Sequence, residues 1–298
     1  MDPLKTLADD PDLLMEYWDE KPLLTTVTRD FSDILDLKEI ESMLSRGVPE
    51  RSLRVFEDGS AAERGGIFHP RERGGRTRER VATASGLAEV LSSGCTVLLE
   101  EVQTFSPGVA RFADEFTRAT GFETYCVVFI TPPGHSGVKL HYDVDSVFLL
   151  QLHGSKSWRL HAPTAPYPLR QTVLECTTEP VLETDLDEGE CLYIPRGYWH
   201  AGTARGSASV HLSIGVRTRA WLPEVLRELE RRAGADPELR RSLTPHPAQD
   251  DRDDSHLFDR LTALVREIPS PRATARQLSR PAPHGWLGAA IGERRAAA

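Results

Sequence analysis

His141 and Asp143 stand two residues apart, and His200 follows far downstream in the run Tyr193-Ile194-Pro195-Arg196-Gly197-Tyr198-Trp199-His200. Two imidazoles and one carboxylate can occupy one face of an octahedron and leave the opposite positions open. Non-haem Fe(II) centres take up a cosubstrate and O2 in this way. On a strand, residues two apart point to the same face, so His141 and Asp143 can converge on one ion. His200 comes directly after an Ile-Pro-Arg-Gly turn that closes an apolar strand, which sets it at a strand edge facing inward. Asp145 continues the alternation but lies one pleat further on, and reads as a neighbour of the ligands. Spacing leaves two alternatives open: ordinary hydrogen-bonded core histidines, and zinc, which the same donors suit.

Such a site needs strands to hold it, and the chain supplies them. Short β-branched or aromatic runs at 95–99, 125–130, 146–152, 157–161, 190–194 and 207–216 are separated by Gly and Pro turn signals. Many short strands without repeated βα alternation predict a barrel or jelly roll. Helical patterns surround them. Residues 11–18 are amphipathic, 32–46 carry Ile34, Leu35, Leu37, Ile40 and Leu44 at near-helical spacing, and 82–91 and 107–120 fit helices. Residues 57–80 are rich in Gly, Arg and Glu and read as loop. From Trp221 the helical pattern returns, with stripes at Val225, Leu226 and Leu229 and at Leu257, Leu261, Leu264 and Val265. The tail from Pro269 is rich in Arg, Pro and Ala and is expected to be partly disordered. The expected class is therefore mainly β with α. N-terminal helical and loop elements (1–90) pack on a β core (91–218), and a C-terminal helical region (219–298) follows.

Composition narrows the setting. The 298 residues are 27% charged and 39% hydrophobic, the profile of a soluble globular chain. A net charge of -9 argues against a general nucleic-acid binder, which needs surplus Lys and Arg. Arg64, Arg71, Arg73, Arg76, Arg78 and Arg80 nevertheless crowd one stretch, either as a solvated loop or as a contact surface for a peptide or partner. No apolar run could span a bilayer, and Met1-Asp2-Pro3-Leu4-Lys5 does not open a signal peptide. Cys95, Cys126, Cys176 and Cys191 are scattered without metal-site spacing, as reduced thiols of a cytoplasmic protein. Cys191 is near His200 in sequence but on a different part of its segment, and is not counted as a ligand.

Linked motifs carry a family resemblance over roughly residues 14 to 218. The stretch from Tyr17 through Trp18, Asp19, Glu20, Lys21 and Pro22 to Leu24 resembles the opening motif of the cupin-like JmjC oxygenases, the group that contains the ribosomal oxygenases. Ile130-Thr131-Pro132-Pro133-Gly134, then His141-Tyr142-Asp143, then Gly154-Ser155-Lys156-Ser157-Trp158 resemble that family's central run. Gly189-Glu190-Cys191-Leu192-Tyr193-Ile194-Pro195 through His200 resembles its third-ligand segment. The resemblance implies a double-stranded β-helix holding Fe(II) and 2-oxoglutarate, with O2 as the second cosubstrate. His141, Asp143 and His200 would be the metal ligands and catalytic centre. Lys156 would pair with the far carboxylate of 2-oxoglutarate, an ammonium facing a dianion in a partly desolvated barrel.

The chain departs from the family at two places. Phe129 stands where many relatives carry a tyrosine that touches the cosubstrate, and Val127 where an asparagine is common. Thr131, Ser213 and His211 are the candidate replacement donors. For His211, a satisfied core histidine outweighs the pocket role on sequence alone. The segment after Trp221 suits the family's helical dimerisation region and is too short for the winged helix that follows it in ribosomal oxygenases.

The implied activity is hydroxylation of an unactivated C–H bond, with a side chain of a peptide or protein as leading substrate and a possible homodimer. One rival is a hydroxylase of a free amino acid or small biosynthetic intermediate. Another is a cupin-like binding module without turnover. No direct nucleic-acid or membrane partner is expected.

Overall fold

Period-two alternation builds the centre of the molecule. The computed structural model describes residues 3–27, 30–73, 76–242 and 253–270, and the chain divides into two compact units at Thr218/Arg219.

The first unit begins with α1 (Pro3–Leu7), α2 (Pro11–Tyr17), β1 (Leu23–Thr26), α3 (Leu37–Ser45), β2 (Val48–Pro49), β3 (Leu53–Glu57), β4 (Ser60–Ala61), β5 (Phe68–Arg73), β6 (Arg76–Ala82) and α4 (Ala84–Ser92). It continues with β7 (Thr96–Leu99), α5 (Pro107–Thr120), β8 (Glu123–Thr131), β9 (His141–Tyr142), β10 (Ser146–His153), β11 (Lys156–His161), β12 (Pro180–Leu186), β13 (Glu190–Ile194), β14 (Trp199–Ala204) and β15 (Ser209–Arg217). Eight strands form one sheet in the order β1-β13-β10-β15-β8-β7-β3-β4. A second sheet runs β12-β11-β14-β9, and a small third runs β2-β6-β5.

The large sheet is covered on both faces. Cys126 and Val128 of β8, Phe148 and Leu150 of β10, Cys191 and Tyr193 of β13, and Leu212 and Ile214 of β15 point to a core shared with the helices. The alternate residues, among them Val147, Leu149, Leu192 and Ile194, point the other way and meet Trp158 and Leu160 of the second sheet. The space between the two sheets is the interior of the double-stranded β-helix, so each strand hands one set of side chains to the core and the other to the site.

Local signals place the helices. Ser106 accepts a bond from the Val109 N–H at 3.3 Å, Pro107 opens α5, and Gly121 closes it at φ +78°. The predicted helix over 107–120 is therefore present. The single helix expected over 32–46 is not continuous: a 3-10 turn at Phe31–Asp33 is followed by a break, and α3 restarts where Asp36 accepts from the Glu39 N–H at 2.7 Å.

The described residues of 57–80 are not one loop. They contain β4, β5 and most of β6, and β5 and β6 pair antiparallel with Arg71 opposite Glu79. Charged side chains at this density hid the strand pattern, because alternation of charge with charge gives no hydrophobic signal while cross-strand Arg–Glu pairs still stabilise a ladder. The same pairing answers the arginine cluster where side chains are described. Arg64 meets Glu57 at 2.8 Å, Arg80 meets Glu50 at 2.8 Å, and Arg71 meets Glu79 at 3.5 Å. Side chains of Arg73, Arg76 and Arg78 lie outside the described set. The N-terminal region expected as helix and loop thus also contributes strands β1 to β6.

The second unit contains α6 (Trp221–Ala233) and α7 (Ser255–Glu267). Its described helices are laced by Arg–Glu pairs within and between them, such as Arg231–Glu228 at 2.7 Å and Arg232–Glu267 at 3.6 Å. The tail expected to be partly disordered falls, beyond residue 270, outside the described residues. No described helix is long and apolar enough to cross a membrane.

Candidate metal centre and cosubstrate pocket

Register brings the two histidines together. On β14, His200 pairs directly with His141 of β9, and their ring centroids are 4.3 Å apart. Asp143 follows β9 by one residue, and its carbonyl accepts from the Gly197 N–H at 2.8 Å, which ties Asp143 to the turn that delivers His200. Gly197 holds φ +86°, a conformation that glycine adopts without strain. The donor atoms of His141, Asp143 and His200 all lie within 4.8 Å of one another. His200 Nε2 is 3.6 Å and His141 Nε2 4.0 Å from the Asp143 carboxylate. Asp145 and Cys191 stand apart from this group. Tyr125 donates to the Asp145 carboxylate at 3.3 Å, burial raises the carboxyl's pKa, and Cys191 faces the core on the other side of its strand.

The set fits a metal ion in its second contacts as well. His141 Nδ1 is 2.8 Å from the Lys139 carbonyl and His200 Nδ1 is 3.0 Å from the Tyr198 carbonyl. A carbonyl can only accept, so each Nδ1 carries the proton and each Nε2 offers its lone pair toward Asp143. Burial, with the neighbouring His141 adding to it, pushes the His200 pKa down to about 4, so the ring is neutral and ready to ligate. The side chains of His141 and Asp143 are 34% and 39% exposed against 6% for His200, so the centre opens to solvent on one side only.

From the centre a narrow pocket runs between the sheets. Its lining includes Phe129, Lys156, Trp158, His211 and Ser213 together with His141, Asp143 and His200. Lys156, Trp158 and Leu160 alternate inward on β11, opposite Ala204, Gly202 and His200 of β14. A Cβ at Gly202 would lie 2.9 Å from both the Lys156 Cε and the Trp158 ring, so the missing side chain is what lets the lysine stem fold along the barrel wall. Lys156 is 1% exposed, and its ammonium donates to the Thr131 hydroxyl at 3.2 Å. Desolvation pushes its pKa down to about 7. No carboxylate pairs with it among the described residues. A buried cation in this state is a receptor for an anion.

Thr131, Phe129, Val127 and Tyr125 step along β8 opposite Ser209, His211, Ser213 and Gly215 of β15. The sequence candidates Thr131, His211 and Ser213 therefore share one inner wall. His211 is buried as a core histidine would be, yet neither ring nitrogen has a hydrogen-bond partner among the described residues. Sequence reasoning did not single out Gly202, although its place two residues beyond His200 on the same strand face was a usable signal. A larger cleft elsewhere, lined by Phe31, Leu35, Lys38, Leu152 and His153, carries no metal-ligand cluster among the described residues.

The opening motif acts on the segment that carries His200. Asp19, at φ +64°, accepts from Arg196 Nε and Nη2 at 2.9 Å each, and its N–H donates to the Tyr193 hydroxyl at 2.9 Å. Tyr198 donates to the Glu20 carbonyl at 2.7 Å. With β1 paired to β13, residues 19–26 clamp the segment from Glu190 to Tyr198 that leads to His200.

A double-stranded β-helix with two histidines and a carboxylate at one end and a buried lysine along its wall defines a cupin-like JmjC fold. The family model of the JmjC domain matches residues 98–222, and the chain is similar to proteins of the ribosomal oxygenase group. It is 29% identical over 218 residues to the bifunctional lysine-specific demethylase and histidyl-hydroxylase NO66 of Aedes aegypti, covering 69% of this chain and 32% of that protein. It is 37% identical over 134 residues to ribosomal oxygenase 1 of Rattus norvegicus, covering 43% of this chain and 22% of that one. Among solved structures, the ribosomal oxygenase YcfD from Escherichia coli, in complex with cobalt and 2-oxoglutarate, superposes with a TM-score of 0.55 at 17% identity over 87% of this chain and 67% of YcfD. The chain spans less than half the length of these curated relatives.

Proposed function

We propose that the protein is an Fe(II)- and 2-oxoglutarate-dependent oxygenase that hydroxylates a C–H bond on a side chain of a peptide or protein. One observation carries the reading: a three-donor metal face and an unpaired buried lysine line the same pocket, which leaves a place for a dianionic metal chelator between them. His141, Asp143 and His200 would hold the iron, and Lys156 with Thr131 would take the far carboxylate of 2-oxoglutarate. Ser213, on the same wall, faces the chelate. When bound, iron and 2-oxoglutarate supply the oxidative chemistry, in which O2 divides between succinate and the hydroxylated product as CO2 leaves. The protein's part is to orient the cosubstrate, keep water from the inner pocket, and present the open His141–Asp143 side to the substrate.

The protein-substrate class is supported by that open side and by the activities the relatives are named for, a bifunctional lysine-specific demethylase and histidyl-hydroxylase and a ribosomal oxygenase. Dimerisation through the C-terminal helices and a cytoplasmic setting belong to the same reading. Trp221, Leu222 and Leu226 of α6 and Phe258 of α7 are exposed apolar groups, and all four cysteines are free thiols.

Anaerobic addition of Fe(II) and 2-oxoglutarate should give the weak visible charge-transfer band of a chelated 2-oxo acid. His200→Ala should abolish it, and Lys156→Ala should weaken 2-oxoglutarate binding about tenfold or more. A wild-type protein without the band would sink the oxygenase reading. Succinate formation stimulated by a peptide and not by free amino acids would support the protein substrate, and the reverse would overturn it.

A further inference from the structure

His211 is 1% exposed and sits in a fixed orientation. Its ring stacks on Phe129 at 4.7 Å with an interplanar angle of 12°, and meets Trp158 edge-on at 5.6 Å. The Lys156 ammonium lies over the same two aromatic rings, 5.8 Å from Phe129 and 5.2 Å from Trp158. Imidazole and ammonium therefore share two neighbours and line one pocket. Both His211 nitrogens, and the Trp158 indole N–H, lack hydrogen-bond partners among the described residues. Buried polar groups go unpaired rarely, because each has given up its bonds to water without a replacement. Three such atoms beside a buried cation mark the place of a polar guest.

We infer that the imidazole of His211 donates a hydrogen bond to the far carboxylate of the bound 2-oxo acid, and so acts beside Lys156 and Thr131 to select a dicarboxylate of this length. The inference rests on the oxygenase reading above and assigns one contact within it. Phe129 cannot donate, and it instead offers its face to hold the imidazole flat. Desolvation first, and the Lys156 charge second, keep the ring uncharged, so it presents one N–H and one lone pair. His211 stands opposite Phe129, one inward step from Thr131 on the neighbouring strand, within the group that already contains the lysine.

The test uses the full-length protein loaded with Mn(II), which supports binding without turnover, and compares 2-oxoglutarate with oxalate. Oxalate chelates the metal but has no far carboxylate. His211→Phe keeps a planar ring between Phe129 and Trp158, and should weaken 2-oxoglutarate about tenfold or more while leaving oxalate unchanged. His211→Asn, which can still donate, should retain most of the 2-oxoglutarate affinity. In the wild type carrying 15N-labelled histidine and Zn(II) in place of Mn(II), 2-oxoglutarate should shift the His211 ring signals and oxalate should not. Unchanged 2-oxoglutarate affinity in His211→Phe, or equal losses for both ligands, overturns the assignment and makes His211 a water-bonded or structural group. If His211→Phe does not fold, absence of the ring shift in the wild type overturns it alone. A wild type that binds oxalate but not 2-oxoglutarate removes the oxygenase reading and this inference together.

Discussion

Burial of Lys156 converts a single side chain into a pH-dependent term in both stability and binding. Its pKa falls from 10.5 to about 7 on folding because the ammonium loses water and gains only the Thr131 hydroxyl. Below pH 7 both folded and unfolded chains hold the proton, and the folded chain bears the whole desolvation cost. Above 7 the folded lysine loses the proton first, so stability of the metal-free protein rises with pH toward 10.5. His200 acts in the window from about 4 to 6.5, also raising stability with pH, and buried Cys126 acts in the opposite sense above about 9. Between pH 7 and 8.5 the lysine is left to dominate. Urea unfolding should show a gain of about 2 kcal/mol across that interval, and Lys156→Met should flatten it and be the more stable protein at pH 7. A flat wild-type profile would show that the ammonium is better solvated than its position implies. A bound dicarboxylate has the reverse effect: it restores the charge, so binding takes up a proton above pH 7 and its affinity falls by up to about tenfold per pH unit there. Calorimetry in buffers of different ionisation heat reads that proton directly. The grouping of His141, Asp143 and His200 and the inward place of Lys156 were legible because pleat spacing and linked motifs point to them. The unpaired state of His211 was not, since it depends on what β8 and β11 bring against β15.

Elements were legible where the apolar period or a cap is strong and obscure where pairing alone makes the strand. α5 is bounded by Ser106, Pro107 and Gly121, all visible in sequence. β14, with the sequence Trp-His-Ala-Gly-Thr-Ala, has weak strand propensity, and it is extended because it lies in register between β11 and β9. β12 carries alternating exposed acids that match β11 side chains, such as Glu183 with Arg159 at 2.6 Å, so its pattern is one of charge. The turn between β13 and β14 depends in turn on the opening motif. Asp19 receives the Arg196 guanidinium in a bidentate pair, and Arg196 is 7% exposed. Asp19→Ala would leave that guanidinium buried and half-satisfied, at a cost of about 3 kcal/mol. Because Arg196 is four residues before His200, the expected signature is twofold: a lower unfolding midpoint and a weakened Mn(II) affinity, with His141 and Asp143 intact. Loss of stability with unchanged metal affinity would show that the turn holds its shape without the clamp.

At the scale of the whole molecule, every donor and pocket residue lies in the unit ending at Thr218, and every exposed apolar group of α6 and α7 lies in the other. α7 has no buried residue, although its apolar side chains recur at helical spacing. Leu257, Leu261 and Leu264 are only half-buried, and Phe258 and Val265 are exposed. An amphipathic helix gains most of its stability from packing of its apolar face, and a second copy of this chain offers the matching stripe by symmetry. The sequence periodicity foretold the stripes but could not say whether they were covered, because coverage is a property of the assembled chain. The separation of roles makes a chain ending at Thr218 informative. It should keep Mn(II) and 2-oxoglutarate affinities within about twofold of the full chain, since additivity holds for sites with no shared partners. Light scattering should give a monomer for it and a dimer for the full chain. A full chain that is monomeric would show that the helices cover their own apolar face, while a shortened chain that loses 2-oxoglutarate binding would place part of the pocket's rigidity in the C-terminal helices.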